Sequence, residues 1–179
     1  VPKNRSEEVR VSIDMFAGRR IFNSRVFYDP GDGKKKPGKA GLALRLHADQ
    51  FTELGGIPLA VELGARSVDH LEATGDEGVQ ALAGSDVAAV LLPVAALFLG
   101  RPMPPGRALV DAGAIVALAT DFNPGSAFCE SLPLVCSLAA TQLRLSPAEA
   151  LAACTVNAAH ILARADRLGS ERDRVGFHR

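Results

Sequence analysis

Residues 66–92, with the sequence RSVDHLEATGDEGVQALAGSDVAAVLL, decide the fold. A brief predicted strand, Arg66 to Val68, is followed by a stretch of helical character, Asp76 to Ala83, that Gly84 closes. A second predicted strand, Val87 to Leu92, is apolar and rich in β-branched residues. Because a strand that connects through a helix to the next strand forms a parallel pair, these residues predict one strand–helix–strand unit.

The same alternation extends to both sides of this unit. Further predicted strands are Gly41 to Leu46 and Ala114 to Ala119, and further predicted helices are Thr52 to Leu63, Pro104 to Ala112, Ser131 to Leu143 and Pro147 to Ala163. Ser146 is a good N-cap for the last helix, and Pro147 suits its first position. The apolar strands indicate burial on both faces. The sequence therefore predicts an α/β fold with a parallel sheet covered by helices.

Residues 1–39 have a different character. Only Ser12 to Phe16 has strand character there, and residues 29–38 combine Pro, Gly and charge in a way typical of loops or disorder. Residues 1–46 carry 11 basic and 5 acidic side chains, whereas residues 47–163 carry 4 and 12. Such asymmetry can mark a nucleic-acid-binding arm or a poorly folded end, and the lack of a regular period in the basic residues favours the second.

Three regions are therefore expected along the chain. Residues 1–39 form a partly disordered segment, residues 40–165 form the α/β region with about four strand–helix units, and residues 166–179 form a tail.

Composition excludes several classes of protein. The chain has 179 residues and 47% hydrophobic residues, enough for one domain with a core. Three cysteines argue against a disulfide scaffold and favour a reducing, cytoplasmic compartment. With no Trp and one Tyr, an aromatic platform for single-stranded nucleic acid is not expected. The longest apolar run, Val87 to Leu99, is interrupted by Pro93 and is too short to span a membrane.

Residues able to do chemistry follow three of the predicted strands. His47, His70 and Asp121 each stand at or just after a strand end. Because the carboxyl ends of parallel strands open onto one face, these side chains are expected to meet there, and they are the ligand types of a zinc or iron site. Taken singly, His47 could be a loop residue, His70 a strand-end residue with ordinary partners, and Asp121 a turn-former before Pro-Gly.

Several stretches together resemble one known family, the imidazolonepropionases of the metal-dependent amidohydrolase superfamily. They are LRLHADQF (44–51), SVDHLE (67–72), VLLP (90–93) and ALATDFNPGS (117–126), with the closing-helix pattern of residues 147–151 and 155–159. Val11 to Phe16 resembles the preceding strand of the family, after which the family has a helix. The resemblance implies the C-terminal half of a TIM-like (β/α)8 barrel.

The resemblance also implies a reaction and a set of roles. The family hydrolyses 4-imidazolone-5-propanoate to N-formimidoyl-L-glutamate in histidine degradation, with one zinc or iron ion, as a cytoplasmic homodimer that needs neither nucleic acid nor a membrane. By position, the metal ligands are His47 and Asp121, the catalytic residues are His70 and Asp121, and the substrate-binding residues are Gln50, Asn123, Gly125 and Ser126.

The chain also departs from the family pattern. A complete barrel takes about 250 residues, and the His-x-His pair that gives the family two metal ligands does not occur in this sequence. We therefore expect a truncated barrel that is inactive alone. Two alternatives are another cyclic-amide hydrolase or deaminase of the superfamily and a non-catalytic half-barrel. Glu72, two residues after His70, is open to a supporting role at the site or a surface role. The three cysteines are expected to be small core or helix residues.

Overall fold

The structure, a computed structural model, describes residues 7–16, 19–28, 36–41 and 44–170, with side chains from Leu44 onward. The chain divides into two compact units, residues 1–43 and residues 44–179. Part of the predicted loop 29–38, and residues 171–179 of the predicted tail, lie outside the described residues.

The first unit contains an antiparallel sheet of three strands in the order β1-β2-β3. The strands are β1 (Glu7–Phe16), β2 (Arg19–Tyr28) and β3 (Lys36–Gly41). Strands β1 and β2 pair along their whole length, from Glu7 opposite Tyr28 to Phe16 opposite Arg19.

This sheet differs from the expectation for residues 1–39. The prediction gave one short strand and otherwise loop or disorder, and the family resemblance placed Val11 to Phe16 in the parallel sheet before a helix. Those residues instead lie in β1, and β2 follows where the helix was expected. The apolar residues Val9, Val11 and Ile13 alternate along the chain with the period of two that is typical of a strand. The prediction had considered only the spacing of the basic residues, which shows no such period.

The second unit is built on four parallel strands in the order β4-β5-β6-β7. They are β4 (Arg45–Ala48), β5 (Ser67–His70), β6 (Ala88–Leu91) and β7 (Val116–Leu118). The helices are α1 (Gly56–Glu62), α2 (Asp76–Ala83), α3 (Pro93–Phe98), α4 (Gly106–Asp111), α5 (Leu132–Thr141), α6 (Pro147–Cys154) and α7 (Val156–Ile161). The α/β fold class is thereby confirmed.

The core lies between this sheet and the helices. Val68 of β5 and Leu91 of β6 are fully buried and pack in one cluster with Leu109 of α4 and Val135 of α5. A smaller cluster lies on the opposite face of the sheet, where Ile161 of α7 contacts Ala88 and Ala117. Both faces of the central strands are therefore buried, as expected for a parallel sheet.

Three helical segments differ from the prediction. Helix α1 begins at Gly56, four residues after the predicted start at Thr52. Helix α3 was not predicted, because no element was assigned to Pro93 and the apolar residues after it. The predicted helix from Pro147 to Ala163 is divided into α6 and α7 at Thr155, which has φ −121° and ψ −86°. The Thr155 hydroxyl donates to the carbonyl of Leu151 at 2.7 Å, so this side chain competes with the helical backbone at the break.

In the part of the chain that the structure describes, the helices are all too short or too polar to cross a membrane.

Candidate active site at the strand ends

The backbone is strained where three of the parallel strands end. Asp49, His70, Leu71 and Asp121 have φ values of 52°, 87°, 72° and 53°, in the left-handed region that non-glycine residues avoid. Each such residue costs about 1–2 kcal/mol. Strain of this kind concentrates where a fold must aim particular side chains. A functional site is therefore expected at the carboxyl ends of β4, β5 and β7.

His47 and His70 meet at this end of the sheet. They belong to neighbouring strands, and His70 Nε2 lies 2.9 Å from His47 Nδ1, with the ring centroids 4.8 Å apart. The side chain of His70 is only 3% exposed, whereas that of His47 is 66% exposed. The buried ring thus supports the exposed one, whose Nε2 remains accessible.

Glu72 lies in the interior beside His70, which decides between the two roles left open for it. Its side chain is 0% exposed, and its Oε1 is 3.5 Å from His70 Nδ1. Among the described residues, neither carboxylate oxygen of Glu72 nor Nδ1 of His70 has a hydrogen-bond partner. A surface role for Glu72 is therefore excluded.

Asp121 begins a compact polar turn after β7. The side-chain amide of Asn123 donates to the carbonyl oxygen of Asp121 at 2.8 Å and to Ser126 Oγ at 2.9 Å. The Asn123 side-chain oxygen accepts from the backbone N–H groups of Gly125 and Ser126, at 2.9 and 2.8 Å. The resemblance implies that Gly125 and Ser126 bind substrate. In this structure they stabilise the turn.

The sequence-predicted residues thus fall into two groups. His47 and His70 are in contact, and Asp121, Asn123, Gly125 and Ser126 form one turn. Gln50 is half-buried just beyond the end of β4. Within residues 44–170, no three His, Cys, Asp or Glu side chains are arranged to hold a metal ion. Imidazole and carboxylate suit zinc or iron, but His47 and Asp121 are only two donors where a catalytic zinc site usually has three protein ligands.

Two further polar residues support the site and were missed from the sequence. Asp49 is buried, and its carboxylate accepts from the hydroxyl of Thr74 at 3.0 Å. Asp69 accepts from Ser67 at 3.0 Å and lies 4.0 Å from His47 Nε2. Asp49 lies two residues after His47, and Asp69 precedes His70 and is the register partner of His47. This closeness to the predicted histidines is the feature by which the sequence could have indicated both carboxylates.

On the helical side, Arg107 forms a cluster with two carboxylates, although its buried Nε has no hydrogen-bond partner among the described residues. Arg107 of α4 donates to both carboxylate oxygens of Glu149 at 2.9 and 3.1 Å and contacts Asp111 at 2.8 Å. Glu149 also accepts from the backbone of Ser146 in a capping box. Hydrogen bonds from Arg107, and then from Ser146, lower the pKa of Glu149 to about 2. This cluster fastens α4 to α6.

The cysteines pack as expected. Cys136 and Cys154 lie against the core with their sulfur atoms 3.4 Å apart, and all three cysteines are free thiols. Burial, and then the contact with Cys136, raises the pKa of the Cys154 thiol to about 12. A thiol that stays protonated at neutral pH is a poor nucleophile, so Cys154 has a packing role.

Comparison with known proteins gives matches to two different families of protein. Residues 3–54, less than a third of the chain, match the family described as Transcriptional Coactivator p15 (PC4). The chain is 74% identical over 122 residues to the imidazolonepropionase of Rubrobacter xylanophilus, covering 68% of this chain and 29% of that protein. It is 46% identical over 167 residues to that of Deinococcus deserti, covering 93% of this chain and 41% of that protein.

Solved structures agree on the fold. An adenosine deaminase from Xanthomonas campestris with bound zinc matches with a TM-score of 0.60 and 22% identity, covering 70% of this chain and 34% of that chain. A triazine hydrolase variant matches with a TM-score of 0.53 and 23% identity, covering 76% and 38%. The four parallel strands and their helices thus share their fold with part of each of these chains. The chain spans less than half the length of the relatives it matches, and within that span it is similar to imidazolonepropionases.

Proposed function

We propose that residues 44–165 carry the strand-end half of an active site that hydrolyses 4-imidazolone-5-propanoate to N-formimidoyl-L-glutamate. The observation that carries this proposal is the contact between His47 and the buried His70 on a strained strand end, in a segment closely similar to an imidazolonepropionase. The residues fit a zinc or iron ion held by His47 Nε2 and Asp121, together with ligands from the rest of a complete barrel. Such an ion lowers the pKa of its bound water towards ~7.

The remaining roles belong to the side chains themselves. Asp121 accepts the proton of the attacking water and delivers it to the ring nitrogen that leaves. His70 orients the carbonyl oxygen for attack, and to donate to that oxygen its Nε2 must separate from His47 and carry a proton when substrate binds. Asn123, Gly125 and Ser126 hold the propionate group and Gln50 contacts the ring. The turn hydrogen bonds described above must then loosen when substrate binds, because Asn123 Oδ1 occupies the two N–H groups.

The proposal extends to the whole protein of which this sequence is a part. That protein is a cytoplasmic homodimer with a small-molecule substrate and no membrane partner. The 179-residue chain by itself supplies two metal ligands, so it should bind zinc or iron weakly and should open the imidazolone ring no faster than buffer.

A hybrid enzyme tests the assignment. Residues 44–165 of this chain would replace the matching part of the Rubrobacter imidazolonepropionase, which contributes the remainder of the barrel. Ring opening, followed by the loss of imidazolone absorbance, should then occur at a rate close to that of the parent. Asp121→Asn and His70→Gln should each remove most of kcat, since both groups act on the reacting atoms.

The hybrid also carries its own controls. His160→Gln changes an exposed histidine of α7 and should leave turnover unchanged. Adenosine, offered in place of the imidazolone, tests the alternative of a deaminase. Full turnover by the Asp121→Asn hybrid would contradict the catalytic assignment, and metal-dependent turnover by the 179-residue chain would contradict the view that its site is incomplete.

A second function is favoured for the first unit by its match to a transcriptional coactivator family and by its excess of basic residues. We infer that this unit contacts nucleic acid, although composition argued against it. Arg10 and Arg25 are register partners on β1 and β2, so they share one face of the sheet. Phosphate contacts made from such a face are salt-dependent.

Fluorescence anisotropy with a labelled single-stranded oligonucleotide tests this second function on the full chain. Binding should weaken as salt rises, and the double change Arg10→Glu with Arg25→Glu should abolish it. The double change Arg164→Glu with Arg167→Glu alters charge equally in the second unit and should have little effect. Equal losses in both variants would mean that only net charge matters, which would contradict a site on the first unit.

A further inference from the structure

The contact between Glu72 and His70 has a geometry that ordinary packing does not explain. Glu72 is completely buried, has no hydrogen-bond partner among residues 44–170, and directs one oxygen to within 3.5 Å of His70 Nδ1, which also lacks a partner there. Two unsatisfied polar groups of complementary type are thus buried side by side. A small rotation of either group would bring them to hydrogen-bond distance.

The backbone between the two residues is built to keep them together. His70 and Leu71 are both in the left-handed region, with φ values of 87° and 72°. Leu71 is itself fully buried and belongs to the core. Two consecutive strained residues fold the chain back, so that Glu72 comes beneath the ring of His70 instead of continuing along the strand.

The chemistry of the pair fixes the direction of the hydrogen bond. A carboxylate only accepts, so a bond between Glu72 and His70 requires the proton on Nδ1. In a neutral ring, Nε2 then carries a lone pair and accepts from His47 Nδ1, 2.9 Å away. His47 in turn is left with its lone pair on Nε2, the exposed nitrogen.

The geometry points to Glu72 as a positioning residue: its carboxylate holds the proton of His70 on Nδ1, and the resulting chain of hydrogen bonds leaves Nε2 of His47 free as a ligand atom. The inference rests on the proposed function only for what the two histidines do in a reaction. The tautomers themselves are a property of this chain. They can be observed without metal or substrate.

The test reads the tautomers directly by NMR on the 179-residue chain with ¹⁵N-labelled histidine. Long-range ¹H–¹⁵N correlation spectra at neutral pH distinguish protonated from unprotonated ring nitrogens. The signals of His160 and His178 are identified by changing each to Gln. We expect Nδ1 protonated and Nε2 unprotonated for both His70 and His47. Protonation of His70 on Nε2 in the unaltered chain would overturn the inference before any variant is made.

Variants then ask whether Glu72 causes this state. Glu72→Met keeps the length of the side chain but removes the acceptor, so His70 should shift towards the Nε2-protonated form. Glu77→Met, a matched change at an exposed position of α2, should leave the His70 signals in place. Circular dichroism on the same samples verifies that each variant is folded. Unchanged His70 signals in a folded Glu72→Met chain would overturn the positioning role.

The hybrid enzyme supplies a separate readout. Loss of a group that supports a metal ligand commonly lowers metal affinity or activity about 10–100-fold. Glu72→Met should therefore lower kcat in the hybrid by about that factor, with little change in KM, because Glu72 does not touch the substrate. A hybrid without any activity would contradict the proposed function while leaving the NMR result to decide the role of Glu72.

Discussion

Polar groups are satisfied differently in two regions of the second unit, the carboxyl ends of the parallel strands and the contact between helices α4 and α6. At the carboxyl ends of β4 and β5, His70 and Glu72 are buried without complete hydrogen bonding, on a backbone that includes two strained residues. On the helical side, Arg107 and Glu149 form two direct hydrogen bonds, and Ser146 completes a capping box.

This difference separates function from stability within one unit. An unsatisfied polar pair and a left-handed backbone are destabilising, and they persist where the fold must hold side chains in a fixed orientation, because the surrounding core stabilises that conformation. On the helical side, Arg107 and Glu149 pair directly, and only the buried Nε of Arg107 in this pair lacks a partner among the described residues. The predictions below test whether stability indeed resides on the helical side and in the core.

The largest effect is expected in the core. Leu91 of β6 is fully buried against the helices, whereas Leu54 beyond β4 is 87% exposed. Leu91→Ala should lower the free energy of unfolding by about 2–5 kcal/mol, because it removes buried methyl groups and leaves a cavity. Leu54→Ala should change it by less than about 0.5 kcal/mol. Urea unfolding measures both, and equal losses would show that the sheet–helix core does not carry the stability.

A smaller effect is expected from adding one methyl group. A Cβ at Gly106 of α4 would lie 2.8 Å from Leu143 Cβ, and at Gly125 in the Asp121 turn it would meet only Asn123 Oδ1, at 3.3 Å. Gly106→Ala should therefore cost about 1–3 kcal/mol through overpacking. Gly125→Ala should have a much smaller effect on the urea midpoint. A larger loss at Gly125 than at Gly106 would reverse the comparison.

The smallest effect concerns acid stability. Because the pKa of Glu149 falls from 4.5 to about 2 on folding, its contribution is present above pH 4.5 and is lost as the pH falls from 4.5 through 2. Glu149→Gln should remove this part of the pH dependence of the melting temperature. Glu77→Gln, at an exposed position of α2, serves as the control and should keep the acid sensitivity of the parent. A Glu149→Gln chain with an unaltered acid profile would show that the pair with Arg107 adds nothing.

The element pattern of the second unit could be predicted because it is local. Asp76–Ala83 was predicted and observed as a helix with the same bounds, since an apolar stripe and a closing glycine suffice to define it. The capping box at Ser146 likewise depends on only four consecutive residues, Ser146 to Glu149. The positions of His47, His70 and Asp121 after strands followed from the same pattern, although their roles remain predictions.

Contacts between distant residues were decided only by tertiary structure. The sequence places His47 and His70 23 residues apart, and it is strand pairing that brings their ring nitrogens to 2.9 Å. The burial of Glu72 depends on two left-handed residues that no propensity indicates, because only the surrounding core can hold non-glycine residues there. Likewise, Ile161, which follows the break at Thr155, packs against Ala88 and Ala117 of the sheet, residues that are far from it in the sequence. In the second unit, the sequence by itself therefore determined the four parallel strands, most of the helices and the residue types at the strand ends, whereas packing of the whole unit determined which of those residues meet.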